Sequence, residues 1–179
     1  MSLSPIYTTA PDPLNQPIQQ LVYPFFKQHQ IAFQRVATDP VITIEDCQAV
    51  DATLKMAMVK TLLLTNHQHS QFYLYVLPGI QKFNTKAFSH ALNIARVSFA
   101  PKELLQAKLA TSLGATTIFS LLQPNCHDVQ LVVDQHIFAN TSYGCSDGTT
   151  TNYLKLDIND LKTKILPQLQ PSYRVIETA

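Results

Sequence analysis

The stretch VKTLLLTNHQHSQFYLYVLPG over residues 59–79 carries one lysine, Lys60, at the opening of its first apolar run. A lysine at the mouth of a strand is held by a rigid scaffold and pointed at whatever binds there. The same placement also occurs wherever a strand simply meets water. His67 and His69 stand two apart in the polar turn that follows, a spacing more usual for surface residues than for metal ligands. Cys126-His127-Asp128 gathers three reactive residue types. Sequence neighbours do not converge on one atom, however, and the tract precedes a strand as a turn would. Cys145-Ser146-Asp147-Gly148, followed by three threonines, reads as a tight turn offering hydroxyls and backbone N–H groups. Such a turn can line a pocket, cradle an anion or be an ordinary loop. The glycine-rich dinucleotide motif, the P-loop and G-x-S-x-G are absent.

These side chains need a frame. Two short hydrophobic runs, 61–65 and 72–77, flank the polar turn, and Pro78-Gly79 closes the second. That is a hairpin signature whose first strand is apolar enough to be central. Tyr73 and Tyr75 are expected on its outer face. Upstream, Pro17 opens a helix in which Ile18, Leu21, Val22, Phe25 and Phe26 keep a core-facing rhythm, while Pro24 predicts a kink or a break. Residues 31–36 alternate as a first strand, and Thr43-Ile44-Glu45-Asp46 resembles a capping box opening a short helix. Asn84 or Thr85 caps a helix through Ile94; Pro101 starts another, and Gly114 ends that region. Residues 129–133 form a β-branched strand ending at Asp134, 137–141 and 153–156 are weaker strands, and a last helix runs over 159–169. Clustered strands without βαβ alternation predict an α/β fold, a mixed, curled, barrel-like sheet surrounded by helices. Residues 1–16 read as a loose proline-rich arm and 17–179 as one domain.

Of 179 residues, 46% are hydrophobic, enough for a real core, and 14% are charged, with a net charge of +1. A protein coating long nucleic acid would be more basic, although contact with a short nucleic-acid end remains open. The apolar runs are far shorter than a membrane span, and the N-terminus has neither a basic nor an apolar leader region. Three cysteines, Cys47, Cys126 and Cys145, without a C-x-x-C pair fit thiols in a reducing cytoplasm better than disulfides or a zinc site. A cytoplasmic protein with no membrane contact, metal or cofactor is the expectation.

In order and spacing, VKTLLLT, YLYVLPG, FNTKAFSHALNIARVSFAPKELL, SLGATTIFSLL and VQLVVD resemble the YbaK/ProX family of aminoacyl-tRNA deacylases, editing domains linked to prolyl-tRNA synthetase. The similarity covers about residues 22–169. It implies an α/β domain with a barrel-like sheet and hydrolysis, in trans, of the ester joining a wrong amino acid to the 3′ ribose of a tRNA, one related to tRNA(Pro). Lys60 matches the family lysine and would hold the phosphate or carbonyl of the substrate end. Gly114, Ala115, Thr116, Thr117 and Ile118 match the pocket-lining turn, and Ser146, Asp147 and Gly148 would form the opposite wall. Thr43 stands near the family's early turn. Arg96 and Lys102 flank the SFA phrase, where they either meet acceptor phosphates or belong to a solvated helix face. The implied partners are the tRNA acceptor end and prolyl-tRNA synthetase; the low net charge implies weak, salt-sensitive tRNA binding, with a partner supplying the rest.

The chain departs from the family pattern at two places. Ile118 replaces the proline of the turn, and SYGCSDGTTTNYL lacks the late histidine of many prolyl-editing relatives. A binding module that keeps the tRNA-end or aminoacyl-adenosine pocket without hydrolysis is therefore the alternative. An unrelated hydrolase using Ser146 or Cys145 is a third reading.

Overall fold

The computed structural model describes residues 2–178. In chain order the elements are α1 (Gln19–Gln28), β1 (Phe33–Ala37), α2 (Gln48–Leu54), β2 (Val59–Asn66), β3 (Phe72–Pro78), α3 (Thr85–Leu92), β4 (Val97–Phe99) and α4 (Lys102–Leu109). Then come β5 (Val129–Asp134), β6 (Ser142–Ser146), β7 (Asn152–Asp157), a helical run over 158–169 and β8 (Arg174–Ile176). Local chemistry sets several of these boundaries. The Asn84 side chain accepts the Ala87 N–H at the start of α3, and Thr43 and Asp46 bond reciprocally ahead of α2. Pro24 lies within α1 without splitting it, on the exposed side of the helix.

The five-stranded sheet has the order β4-β2-β3-β5-β8, antiparallel across β4, β2 and β3 and parallel from β3 through β5 to β8. Both faces of its centre are buried, which explains the nearly unbroken apolar runs. Leu63, Leu74, Val76, Leu131 and Val133 join the main core with Val22 and Phe26 of α1. Leu64, Tyr75, Leu77 and Val132 join a second core under Phe88 and Leu92 of α3. The expectation for Tyr73 and Tyr75 is thereby corrected: both lie on the face away from the main core, but α3 covers them and they are buried.

A second, three-stranded antiparallel sheet, β1-β7-β6, faces the first across the main core. The fold is mixed α/β, with its strands in two sheets where one curled, barrel-like sheet was expected. β2 commits its ladder to β3 and β4, so among the described residues the one backbone bridge between the sheets is Met58↔Gly144. A Cβ at Gly144 would stand 2.8 Å from the Ala57 carbonyl oxygen, so this close approach requires glycine.

Three further expectations change. Residues 137–141 are not a strand: the Asp134 side chain accepts the His136 N–H and starts a 3-10 turn, Gln135–Ala139, which moves the strand to β6. In α1, Tyr23 takes the inward place expected of Leu21. The N-terminal arm is not loose, since Ser4 N–H donates to Ala37 and Tyr7 exchanges two backbone bonds with Arg35 along β1. No helix among the described residues is long and apolar enough to cross a membrane.

Candidate functional site

Lys60 enters β2 opposite Leu77 of β3, on the α3 side of the sheet. Just past β3, the Gly79 N–H donates to the Met58 carbonyl at 3.0 Å. A Cβ at Gly79 would lie 2.3 Å from that oxygen, so the V-L-P-G strand end works only with glycine as its last residue. The chain then turns, the Gln81 N–H donating to the Pro78 carbonyl at 3.0 Å. This turn aims the Gln81 carbonyl back at the strand mouth, where Lys60 Nζ donates to it at 2.8 Å.

The facing wall is the segment after α4. Gly114 has φ +83°, and a Cβ there would be 3.0 Å from both Cα and O of Ile42. This glycine lets two backbones touch in a conformation that L side chains rarely adopt. Next to it, Ser146 at the end of β6 donates from Oγ to the Ala115 carbonyl at 3.2 Å and accepts the Gly148 N–H at 3.2 Å. Between these walls lies a cavity of about 320 Å³, lined among others by Lys60, Thr61, Gly114, Thr116, Ser146 and Tyr153.

Among the residues lining this cavity, Lys60 alone carries a formal charge. Cys47 and Cys145 also border it, but burial pushes the Cys47 thiol up to about 11, with the Asp51 carboxylate adding to the effect. Burial likewise pushes up the Cys145 thiol, aided by Asp147. Both therefore stay protonated and unreactive near neutral pH. Ser146 bonds only backbone groups, with no imidazole or carboxylate to take its proton. The chemistry on offer is electrostatic: one ammonium beside an uncharged chamber of hydroxyls and apolar walls.

Of the candidate site residues singled out in the sequence, Lys60, Gly114, Thr116, Cys145, Ser146 and Thr43 line this cavity. Ala115 stands behind it through its bond to Ser146. Thr117 and Ile118 are fully buried, and Ile118 packs into the main core, so the residue standing in for proline meets hydrophobic side chains and not the cavity. Asp147 and Gly148 turn away. The buried Asp147 carboxylate accepts from Gln19 Nε2, Tyr23 Oη and both the N–H and hydroxyl of Thr149. Burial nevertheless holds its pKa above the usual carboxylate range. Gly148 faces Ile18 and a separate cleft with Gln16 and Thr149. Arg96 and Lys102 are exposed and do not line the cavity; Arg96 shares a shallow depression with His67 and Phe99 near β4, which pairs with the far end of β2. Sequence reasoning missed Cys47, Met58 and Tyr153, whose apolar strand and helix positions carry no functional signal. It also missed Gln81, whose one signal is that it follows a Pro-Gly strand end.

Comparison with known proteins places this geometry in context. Residues 38–164 match the family described as the aminoacyl-tRNA editing domain. The prolyl-tRNA editing protein ProX of Acetoanaerobium sticklandii is 26% identical over 159 residues, covering 89% of this chain and 96% of that protein. The fold is shared with the crystal structure of a candidate trans-editing enzyme for prolyl tRNA synthetase, at TM-score 0.65 and 12% identity, covering 90% of this chain and 96% of that one. It is also shared with the hypothetical protein APE2540, at TM-score 0.68 and 16% identity, covering 86% and 95%. The segment matched by the family contains Lys60, the glycine wall and Ser146, and the chain belongs to the aminoacyl-tRNA editing domain family.

Proposed function

We propose that this protein is a cytoplasmic, trans-acting hydrolase that cleaves the ester of mischarged aminoacyl-tRNA, with Lys60 as the catalytic residue. One observation carries the site assignment: Lys60 is the one charged residue among those lining a cavity built with Gly114, Thr116 and Ser146. In the reaction, water adds to the aminoacyl carbonyl, the oxyanion forms, and the ester C–O bond breaks to release the ribose hydroxyl and the free amino acid. An aminoacyl ester is already activated, so positioning the water and stabilising the oxyanion supply most of what is needed. Lys60 would place its charge at the oxyanion or at the terminal phosphate. Thr116, Ser146 and the backbone beside Gly114 would hold the amino-acid moiety. Among the described residues no carboxylate or imidazole lines the cavity, so proton transfer falls to the substrate's own groups and to water. The acceptor end of a tRNA related to tRNA(Pro) is the proposed partner, with prolyl-tRNA synthetase supplying further affinity.

The same absence of a protein base favours the second reading, a pocket that binds the aminoacyl end without turnover. Release of amino acid from alanyl-, cysteinyl- and seryl-tRNA by wild type and Lys60→Ala decides between them. The hydrolase reading expects one substrate to be released, and Lys60→Ala to slow release by about 10²–10³-fold, the usual cost of an oxyanion donor. Equal rates in the two proteins would remove Lys60 from the mechanism. Binding of the aminoacyl end without release would establish the second reading.

A further inference from the structure

Lys60 lines the cavity and has a long, flexible stem, so the position of its ammonium depends on what holds it. Its partner is a backbone carbonyl, that of Gln81, in a short turn with little apolar anchoring of its own. Ile80 is 94% exposed and Lys82 is also in solvent. Gln81 is the residue between them that reaches inward. Its amide Nε2 donates to Asp134 Oδ2 at 3.1 Å and to Thr178 Oγ1 at 2.9 Å. Asp134 is 0% exposed and sits at the end of β5. Its Oδ2 also accepts from Tyr75 Oη at 2.7 Å and Thr178 Oγ1 at 2.9 Å; its Oδ1 accepts the His136 N–H and lies 2.7 Å from His136 Nδ1. The carboxylate is thus immobile, and the turn hangs from it.

We propose that Gln81 is the positioning residue for Lys60, held by Asp134 and by Thr178 just beyond β8, so that the C-terminal strand sets the geometry of the reacting ammonium. The role rests on the deacylase reading, although the contact itself does not. Thr178 and β8 lie outside residues 38–164, the part matched by the family, and β8 pairs in parallel with β5 at the edge of the sheet. The chain of contacts is continuous, running from Thr178 and Asp134 to the Gln81 amide, and through the Gln81 carbonyl to Lys60. Each link is a hydrogen bond, and those that involve the Asp134 carboxylate or the Lys60 ammonium gain strength from the charge.

The test reads Lys60 directly. Wild type, Gln81→Ala, Thr178→Val and Gln81→Glu are acetylated with a water-soluble acetyl ester, and labelling of Lys60 is quantified by peptide mass spectrometry against exposed Lys86 and Lys102 as internal references. Freed from the carbonyl, Lys60 should label about 3–10-fold faster in Gln81→Ala and Thr178→Val. Gln81→Glu fills the same volume but sets a second carboxylate against Asp134, so it should free Lys60 at least as much as alanine does. Adding Asp134→Asn should restore slow labelling. A role limited to packing predicts no such rescue. In steady-state deacylation, Gln81→Ala should lower kcat by about tenfold or more while KM stays within about twofold, because the ammonium is misplaced and not lost. Unchanged Lys60 labelling in folded Gln81→Ala and Thr178→Val would overturn the proposal. If wild type releases no amino acid yet labelling responds as described, the deacylase reading fails and the positioning contact stands. If wild type turns over and labelling does not respond, the deacylase reading stands and the positioning role falls.

Discussion

Gly79→Ala tests whether the strand-end turn does what its geometry requires. The added Cβ would fall 2.3 Å from the Met58 carbonyl oxygen, a backbone atom fixed at the start of β2 and unable to rotate aside. Ordinary contact needs a retreat of about 1 Å. That retreat breaks or stretches the 3.0 Å Gly79–Met58 hydrogen bond, whose net contribution is about 1 kcal/mol. Overpacking against backbone adds about 1–3 kcal/mol. The total, about 2–4 kcal/mol, corresponds to a fall in melting temperature of roughly 5–15 °C for a domain of this size. Function should suffer beyond stability, because the Gln81 carbonyl that holds Lys60 lies two residues further along the same turn. A misplacement of about 1 Å can cost about 10²-fold in rate. Differential scanning calorimetry and single-turnover deacylation at a temperature where the variant is fully folded are the assays. A variant that melts within about a degree of wild type, or that is destabilised yet releases amino acid at the wild-type rate, would refute the link between turn and ammonium.

Gly114→Ala places a side chain on φ +83° and against the Ile42 backbone at 3.0 Å. It should cost about 1–2 kcal/mol and raise KM, because this wall borders the cavity; an unchanged KM would mean that the segment does not meet substrate. The two buried carboxylates should respond to pH with opposite signs. Burial pushes Asp134 up, but the bonds from the His136 N–H, Tyr75, the His136 ring and Thr178 together outweigh it and hold its pKa below 3.8, whereas burial holds Asp147 above that value. Asp134 therefore contributes stability above its unfolded pKa of roughly 3.9 that is lost as pH falls through its folded value, and Asp147 contributes stability below about 3.9 that is lost as pH rises through its folded value. In urea titrations from about pH 3 to 7, the cost of Asp134→Asn should grow with pH and that of Asp147→Asn should shrink. Parallel curves would refute both assignments.

What was legible in the sequence was the part governed by local chemistry or by burial on both faces. The β2–β3 hairpin showed itself because both of its faces are packed, so its apolar runs are hardly interrupted. The start of α3 showed itself through the Asn84 cap, and the end of β5 through Asp134. Two sheets in place of one could not be read, since the one backbone bridge between them among the described residues joins Met58 to Gly144, remote in sequence. The wall beyond Cys145 shows the limit most clearly. In the sequence, Ser146-Asp147-Gly148 is one small polar turn, and all three members look equally able to meet a ligand. In the fold, Ser146 is still the last residue of a strand, whereas Asp147 begins the turn that carries Gly148 against Ile18 at the start of α1. Ser146 therefore borders the cavity while Asp147 goes under α1, to be met by Gln19 and Tyr23. That contact also explains why Tyr23 displaces Leu21 from the inward stripe of α1: a buried carboxylate needs donors, and tyrosine brings one. Gln81 was illegible for a related reason, because the atom that meets Lys60 is a carbonyl that every residue possesses. Its identity as glutamine matters only through Asp134 and Thr178, 53 and 97 residues away. The lysine could be read from its own strand, but the groups that aim it are brought together only by the parallel pairing of β3, β5 and β8.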